Sequence, residues 1–508
     1  MRKVLVANRG EIAVRIVRAC RDLGLQAVAV YSECDRRALH VRLADEAWPI
    51  GGDAPRDSYL RIDAIIETAR RAGADAVHPG YGFLAENPEF ARAVRDAGLT
   101  FVGPTPQAIE AMGSKTAARQ AALAAGVEIV PGSGTPLGPD VADEDVRRAA
   151  EAIGWPVMLK AVAGGGGKGM RVVASADELP SALRATRSEA LSSFGDAAVY
   201  LERRLLAPRH VEVQLLGDQH GTMLAFVERE CSVQRRHQKV LEESPSVAVT
   251  PAERQQLADA ARRVAASVGY TNAGTIEFLL DGAGRFYFLE MNTRLQVEHP
   301  VTEVVTGTDL VRWQLRIARG DHLTLDPAVA LTPRGHAIEA RIYAEDPDNG
   351  FLPSPGLVTH LRPPSGPGIR DDTGLTAPWQ VPIHYDPLVS KLVAWGVDRG
   401  HAIARLGRAL REYEIDGIRT TIPFFRWLLA QEDYVAARVD TGFLDRVLAA
   451  RGGQPFWEIA DDATNLATIA AALDAWSRSA GAPRVNGVAA APAALGPWSA
   501  AARRGAQR

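Results

Sequence analysis

Glu277 and Glu290 sit in two apolar runs, TIEFLL and FYFLEM, separated by DGAGR. A hairpin centred on an even-length turn at Ala283 and Gly284 would set the two carboxylates directly opposite each other on one face. Bare, they would repel. With Asn292 two residues on, they form an oxygen donor set for a hard divalent cation, and magnesium completes its shell with substrate phosphates and water. The alternative is one protonated glutamate, or two that fray into solvent. The stretch LEMNTRLQVEHP then adds Arg294, Gln296, Glu298 and His299 just beyond the apolar run.

A second group surrounds AGGGGKGM, from Ala163 to Met170. Successive glycines let backbone N–H groups approach an anion without obstruction by Cβ. Lys168 is followed by Gly169 and Met170 rather than by a magnesium-binding hydroxyl, and MRVV reads as a strand, so this is no Walker A loop. A hairpin closing over nucleotide phosphates and a flexible surface turn both fit. Lys160 ends the apolar strand VMLK just before the loop, where its ammonium would meet a phosphate. Lys115, in EAMGSKTAARQ, stands at a helix start, a natural anion position. In ERECSVQRRHQKV, the cations Arg235, Arg236, His237 and Lys239 read as a solvated charge run, and Cys231 as a small packed residue.

The elements that must position these residues change in texture along the chain. From Lys3 to about Gly113 short β-branched runs alternate with helical patterns: VLVA, then Ile12, Ile16, Ala19, Cys20 and Leu23 at helical spacing, then AVAVYS. That alternation predicts an open, mostly parallel α/β sheet with its ligand site beyond the strand ends. NRGEIA has one glycine where a dinucleotide fingerprint needs three. Past Gly113 the strands lengthen and pair as antiparallel hairpins. A third region, from RGHAIEARIYAE, reads as an α+β unit ending near Leu448, followed by one amphipathic helix at LATIAAALDAW and an Ala/Gly/Pro-rich tail with no assigned fold.

The composition is that of a globular protein: 508 residues, 46% apolar, 23% charged, formal net charge -3. Nothing in it predicts bulk attraction to nucleic acid or membrane. The three cysteines form no disulfide framework. With no signal-peptide core or membrane-length apolar run, the expected location is cytoplasmic.

In one order the chain carries ANRGEIAVRI, HPGYGFLAEN, GGGGKGMRVV, ECSVQRRHQKVLEE, GTIEFL, FLEMNTRLQVEHPVTE, RGHAIEARIYAEDP and FLPSPG. Over about Lys3 to Leu448 it therefore resembles the biotin carboxylases, ATP-grasp ligases that carboxylate biotin on a carrier protein. The resemblance implies a Rossmann-like N-terminal domain at 1–113 and an ATP-grasp domain at 114–333 with a mobile glycine-rich lid at about 132–204. It also implies a C-terminal α+β domain at 334–448 and leaves a helix and tail at 449–508.

It implies a nucleotide site as well. Lys115, Lys160, Gly166 and Gly167 would lie near the ATP phosphates, with Glu202, Arg203, Arg204 and Leu205 as hinge. His210 would lie by adenine and ribose with His237 nearby. Glu277, Glu290 and Asn292 match the Mg²⁺ (or Mn²⁺) ligands. Lys239, Arg294, the Val297 backbone and Arg341 match the bicarbonate and biotin pocket, and Glu298 the general base. From residue type alone, Lys239 and Arg341 would have been read as solvent-facing. Lys168 and Tyr343 stand where arginine and asparagine are expected, and Ala163 shortens the glycine run by one.

The activity this implies is the first half-reaction of acetyl-CoA carboxylase, supplying malonyl-CoA for fatty-acid synthesis. Alternatives are the same step in a propionyl-CoA, other acyl-CoA or pyruvate carboxylase, and a non-catalytic nucleotide-binding protein, which intact Lys239, Arg294 and Glu298 argue against. The chain has no Ala-Met-Lys-Met biotinylation signature, so the expected partners are a biotin carboxyl carrier protein and carboxyltransferase subunits. A homodimer is also expected, with Arg15, Arg18 and Asp22 either on its surface or simply solvated.

Overall fold

Val4, Leu5 and Val6 are fully buried because their strand, Lys3–Val6, lies at the centre of a parallel sheet. The computed structural model of the protein describes residues 1–162, 169–456 and 461–479. The sheet runs in the order Glu46–Gly51, Gln26–Ser32, Lys3–Val6, Ala76–His78, Thr100–Phe101, with every pair parallel. Helix Gly10–Asp22 packs Ile12, Ile16, Ala19 and Cys20 against it, as the helical spacing predicts. Glu46–Gly51 carries no strand signal in the sequence: it is a half-exposed edge strand containing Pro49, which an edge tolerates because it leaves one side unpaired. Arg15 is not a surface residue. Its guanidinium is buried against Glu303 at 2.9 Å and Asp309 at 2.6 Å, whereas Arg18 and Asp22 are exposed.

Strands Val157–Ala161 and Met170–Val173 form an antiparallel hairpin, with Val199–Arg203 on the other side of the first. MRVV is thus a strand. Gly166 and Gly167, together with Ala163 and Lys168, lie outside the described residues.

The largest sheet has nine strands and is antiparallel. Eight of them run Phe286–Asn292, Asn272–Leu280, Arg209–Gly217, Arg229–Arg235, Gln238–Ser244, His336–Tyr343, Leu388–Gly396, Ile369–Thr373, and the ninth, Met223–Ala225, pairs with Arg209–Gly217 off this path. Two-residue alternation decides its faces. Val211, Val213 and Leu215, with Ile276 and Phe278, pack against Leu257, Ala261 and Val264 of helix Pro251–Ser267, whose N-terminus carries a Thr250–Glu253 capping box. His210, Glu212 and Gln214 point the other way, into the cleft. Because Gln238–Ser244 pairs with His336–Tyr343, the strand that opens the third region extends this same sheet. Residues through Gly452 form one compact unit, and helix Asp461–Ser479, which contains LATIAAALDAW, belongs to a second.

Candidate active site

Glu277 and Glu290 are register partners, as expected, but the turn that sets them is different. The loop holds five residues, 281–285, with Asp281 N–H donating to Arg285 O at 3.0 Å and the Asp281 side chain accepting from the Ala283 and Arg285 N–H groups. Such an odd loop would misalign the carboxylates. A β-bulge between Glu277 and Phe278 restores the pairing by leaving Leu289 unmatched.

The row continues across the sheet, Glu277 opposite Glu212 and Glu212 opposite Arg229. Three carboxylates in line require cations, and two supply them. Arg229, fully buried, uses all five of its N–H groups: Nε to Glu212 at 2.5 Å, Nη1 to Gln214 and Thr302, Nη2 to Thr275 and Gln296. Lys239 Nζ lies 2.6 Å from Glu212, 2.7 Å from Glu277 and 2.7 Å from Glu298. Burial disfavours its charge, but the three carboxylates outweigh burial and hold its pKa well above the ordinary lysine value.

The same balance governs the acids. Burial is the largest single influence on Glu277 and Glu298 and opposes their ionisation, but Lys239 together with His210 at Glu277, and with Arg341 and Arg229 at Glu298, outweighs it. Both pKa values fall. His210 Nε2 stands 2.9 Å from Glu277, and that charge raises the imidazole pKa against burial. Glu277 Oε1 also accepts from Asn292 at 2.9 Å and Gln296 at 2.8 Å.

Glu290 differs. It opens to solvent at the cleft, and desolvation by the surrounding walls, with the Glu277 charge second, raises its pKa. A carboxylate raised by its neighbour and open to a cleft is a group a divalent cation would stabilise, so the Glu277, Glu290 and Asn292 oxygens fit a hard cation. Donor atoms of His210, Glu212 and Glu277 also come within 4.8 Å of one another, but the Lys239 ammonium already supplies the positive charge there.

Beyond this row, Arg294 Nε bonds Glu86 at 2.8 Å and its Nη2 bonds Asn292 Oδ1 at 3.0 Å. Glu86 also accepts from the Thr293 N–H and thereby ties a loop of the parallel sheet to the cleft. Glu298 immediately precedes helix His299–Thr306 and receives Arg341 Nη2 at 2.9 Å, while Arg341 Nε goes to Glu242 at 2.6 Å. The Val297 carbonyl accepts from buried Lys391 at 3.1 Å. Tyr343 lies beside Arg341; burial raises its phenol pKa and Arg341 opposes the rise. His299 is buried, its Nδ1 2.8 Å from Gln296 O.

Not all the expected residues converge. Lys160 and Arg119 both pair with Glu202, so that side chain is committed to holding the lysine. Lys115 begins helix Lys115–Ala124, capped by Ser114, and desolvation lowers its pKa while Glu290 opposes the change. Arg203 turns away to cap the Ile153 carbonyl, Arg204 is exposed and Leu205 half-buried. His237 is exposed at the tip of the Arg229–Arg235/Gln238–Ser244 hairpin, where Arg236 and His237 both have positive φ, 50° and 65°. A two-residue turn of that kind matches strand twist but strains non-glycine residues, a feature found mostly where function holds it in place.

Glu86, Glu212, Arg229, Glu242 and Lys391 carry no assignment from the motifs. The alternation HVEVQ, with polar residues at 210, 212 and 214, was the available signal for Glu212; Arg229, among the polar and charged residues of RECSVQR, and Lys391, a lone cation in the apolar strand LVSKLVAWG, had none.

No described helix is long and apolar enough to cross a membrane. Residues 1–109 match the family "Biotin carboxylase, N-terminal domain", 114–326 "Carbamoyl-phosphate synthase L chain, ATP binding domain" and 339–446 "Biotin carboxylase C-terminal domain". The chain is 51% identical to a pyruvate carboxylase subunit of Methanothermobacter thermautotrophicus over 87% of its length and 89% of that protein. It is 50% identical to biotin carboxylase 1 of Bacillus subtilis over 88% and 98%. Against the mitochondrial methylcrotonoyl-CoA carboxylase alpha chain of Rattus norvegicus it is 49% identical and spans 61% of that relative.

Among solved structures it resembles the biotin carboxylase domain dimer of Hydrogenobacter thermophilus 2-oxoglutarate carboxylase in complex with MgADP, ADP and bicarbonate. The TM-score is 0.84 and the identity 43%, over 90% of this chain and 99% of that one. With the cleft as described and relatives matched over nearly their whole length, the chain belongs to the biotin carboxylase family, ligases that carboxylate biotin using ATP.

Proposed function

We propose that the cleft binds ATP and bicarbonate at the two ends of the Lys239 cluster and carboxylates biotin between them, as the first half-reaction of an acetyl-CoA carboxylase. The observation that carries this reading is the single Lys239 ammonium joining Glu277, on the nucleotide side, to Glu298, on the anion side. Glu277, Glu290 and Asn292 hold Mg²⁺ (or Mn²⁺), which when bound offsets charge on the nucleotide phosphates. Lys115 and Lys160 bind those phosphates, and the backbone N–H groups of Gly166 and Gly167 serve the same anions. The Glu202–Leu205 backbone, His210 and His237 border the base and sugar.

Lys239, Arg294, the Val297 N–H and Arg341 hold bicarbonate through charge-assisted hydrogen bonds, in line with the γ-phosphate. Glu298 takes the bicarbonate proton, and the freed oxygen attacks the γ-phosphorus as ADP leaves. Its lowered pKa makes Glu298 a weak base at rest. Bicarbonate, drawing Lys239 and Arg341 toward itself, removes part of the cause of that lowering and raises its basicity where the proton is to be taken.

The carboxyphosphate so formed breaks into CO₂ and phosphate. Phosphate accepts the N1 proton of biotin, Arg341 stabilises the ureido oxyanion, and N1 attacks CO₂ to give carboxybiotin. Biotin arrives on a separate carrier protein, and carboxyltransferase subunits take the carboxyl group onward. The working form is a cytoplasmic homodimer whose surface can include Arg18 and Asp22 but not buried Arg15.

The acetyl-CoA assignment draws support from relatives named simply biotin carboxylase, which the chain spans almost end to end. The 51% identity to a component of pyruvate carboxylase favours pyruvate as the second reading. Reconstitution with the biotinylated carrier and carboxyltransferase subunits, using labelled bicarbonate, separates them. Labelled malonyl-CoA is expected; labelled oxaloacetate with no malonyl-CoA would overturn the acetyl-CoA assignment.

A further inference from the structure

Beside Arg341, whose Nε and Nη2 reach Glu242 and Glu298, two glutamates face each other across adjacent strands. Glu242 and Glu339 are register partners in the Gln238–Ser244/His336–Tyr343 ladder, and both are fully buried. Glu242 Oε1 accepts from Arg341 Nε, but its Oε2 has no protein partner, and neither oxygen of Glu339 has one. Three orphaned carboxylate oxygens on directly opposed residues cannot all be carried by ionised groups, because an unpaired buried carboxylate neutralises itself.

The groups facing the pair are Arg341, Lys391, Lys239 and Glu298, with the Cys231 thiol and Tyr343 phenol, both held neutral by burial, beside Glu242. Lys239 is matched by Glu212 and Glu277, and Lys391 is also within reach of Glu11 and Asp372. Helix His299–Thr306, packed on these strands, carries His299, which burial holds neutral, and Glu303, which is ion-paired with Arg15 and Arg370. On the opposite face of the sheet, Glu243 is closed off by His336 and Arg399. Carboxylates are thus in surplus around Arg341.

We propose that Glu242 and Glu339 share one proton between their facing carboxyls, so that the wall beside Arg341 stays electrically neutral and the pocket remains receptive to an anion. The inference rests on the assignment of Arg341 and Glu298 to the bicarbonate pocket. Glu339 touches no substrate and is a positioning residue: its proton lets Glu242 hold Arg341 by one ionised oxygen without adding a second negative charge. Burial, the largest effect on both, pushes Glu242 up to about 7 and holds Glu339 well above the ordinary carboxylate range. As pH rises the shared proton leaves, the wall becomes negative and bicarbonate is repelled.

Two readouts test this. In ligand-free protein at about pH 7, the infrared C=O stretch of a protonated glutamate, marked by ¹³C-glutamate labelling, should weaken in E339Q. It should weaken likewise in E339M, which removes the same carboxyl and stands in if E339Q does not fold. In steady-state kinetics, the wild-type bicarbonate KM should rise about tenfold from about pH 7 to about pH 9, the effect of one unit charge beside an anion in a protein cleft. In E339Q, which cannot gain that charge, it should rise no more than about twofold. An infrared band unchanged in both variants, or bicarbonate KM values rising in parallel, would overturn the proposal. The infrared reading uses no substrate, so it stands or falls independently of the pocket assignment.

Discussion

Replacing Lys239 with methionine keeps the length of the side chain and removes the one charge that Glu212, Glu277 and Glu298 hold in common, at 2.6, 2.7 and 2.7 Å. In the wild type, burial works against ionisation of Glu277 and Glu298 and Lys239 is the largest influence opposing it, so both pKa values lie below the unfolded value. The stability these carboxylates contribute is therefore fully present above about pH 4.5 and is lost only as pH falls through the folded values. Between about pH 5.5 and 7.5 they add no slope. Without Lys239 burial remains, and the folded pKa values climb above the unfolded ones. The native state then binds more protons than the unfolded chain, so stability falls as pH rises.

An adjacent cation shifts a carboxylate by about 1–3 units. One group carried about 1–2 units above its unfolded value of about 4.5 makes the variant about 0.4–1.3 kcal/mol worse at about pH 7.5 than at about pH 5.5, the rest of the loss being already present at the lower pH. This adds to about 3–5 kcal/mol for breaking a buried ion pair from one side. Thermal denaturation of both proteins at the two pH values measures it. A deficit that is equal at both, or larger at the acid one, would refute the argument that Lys239 keeps these carboxylates ionised.

Glu290→Gln should raise the magnesium concentration needed for half-maximal activity by about tenfold while leaving the thermal midpoint unchanged; a superimposable magnesium titration would remove Glu290 from the cation site. Arg294→Ala, which gives up contacts to Glu86 and Asn292, should raise the bicarbonate KM about 10–100-fold, the worth of charge-assisted hydrogen bonds, and keep ATP affinity within about twofold. Equilibrium nucleotide binding beside steady-state kinetics checks both halves. Truncation after Gly452, the end of the first compact unit, should leave biotin-stimulated ATP hydrolysis within about twofold of the full chain, since every residue of the cleft lies before it.

The parallel sheet was legible because its central strands are buried on both faces and read as uninterrupted apolar runs, as at Val4–Val6. Glu46–Gly51 was not, because an edge strand mixes exposed and buried positions around a proline. Local spacing predicted the Glu277–Glu290 pairing without revealing how it is reached: the bulge and the five-residue loop are each out of step by one residue and cancel. Lys239 shows where local reading stops. Its neighbours in sequence are polar and charged, which reads as solvent, whereas the three carboxylates that bury it come from strands and a helix cap far along the chain. Arg229 was hidden for the same reason, since a buried ion pair between distant strands leaves no periodicity, and Glu86 because an exposed glutamate in a turn gives no sign that Arg294 will reach it. Arg203 was misleading in the other direction: it lies in the expected hinge, but its side chain serves the Ile153 carbonyl at a helix end.

The central claim, that one cleft activates bicarbonate with ATP and delivers CO₂ to biotin, is tested most directly by ADP release from the purified chain with and without bicarbonate and free biotin. ADP should form only with bicarbonate present and faster when biotin is added, with label from bicarbonate appearing in carboxybiotin. Folded protein that binds ATP but hydrolyses it at a rate indifferent to biotin, with no labelled carboxybiotin, would contradict the account.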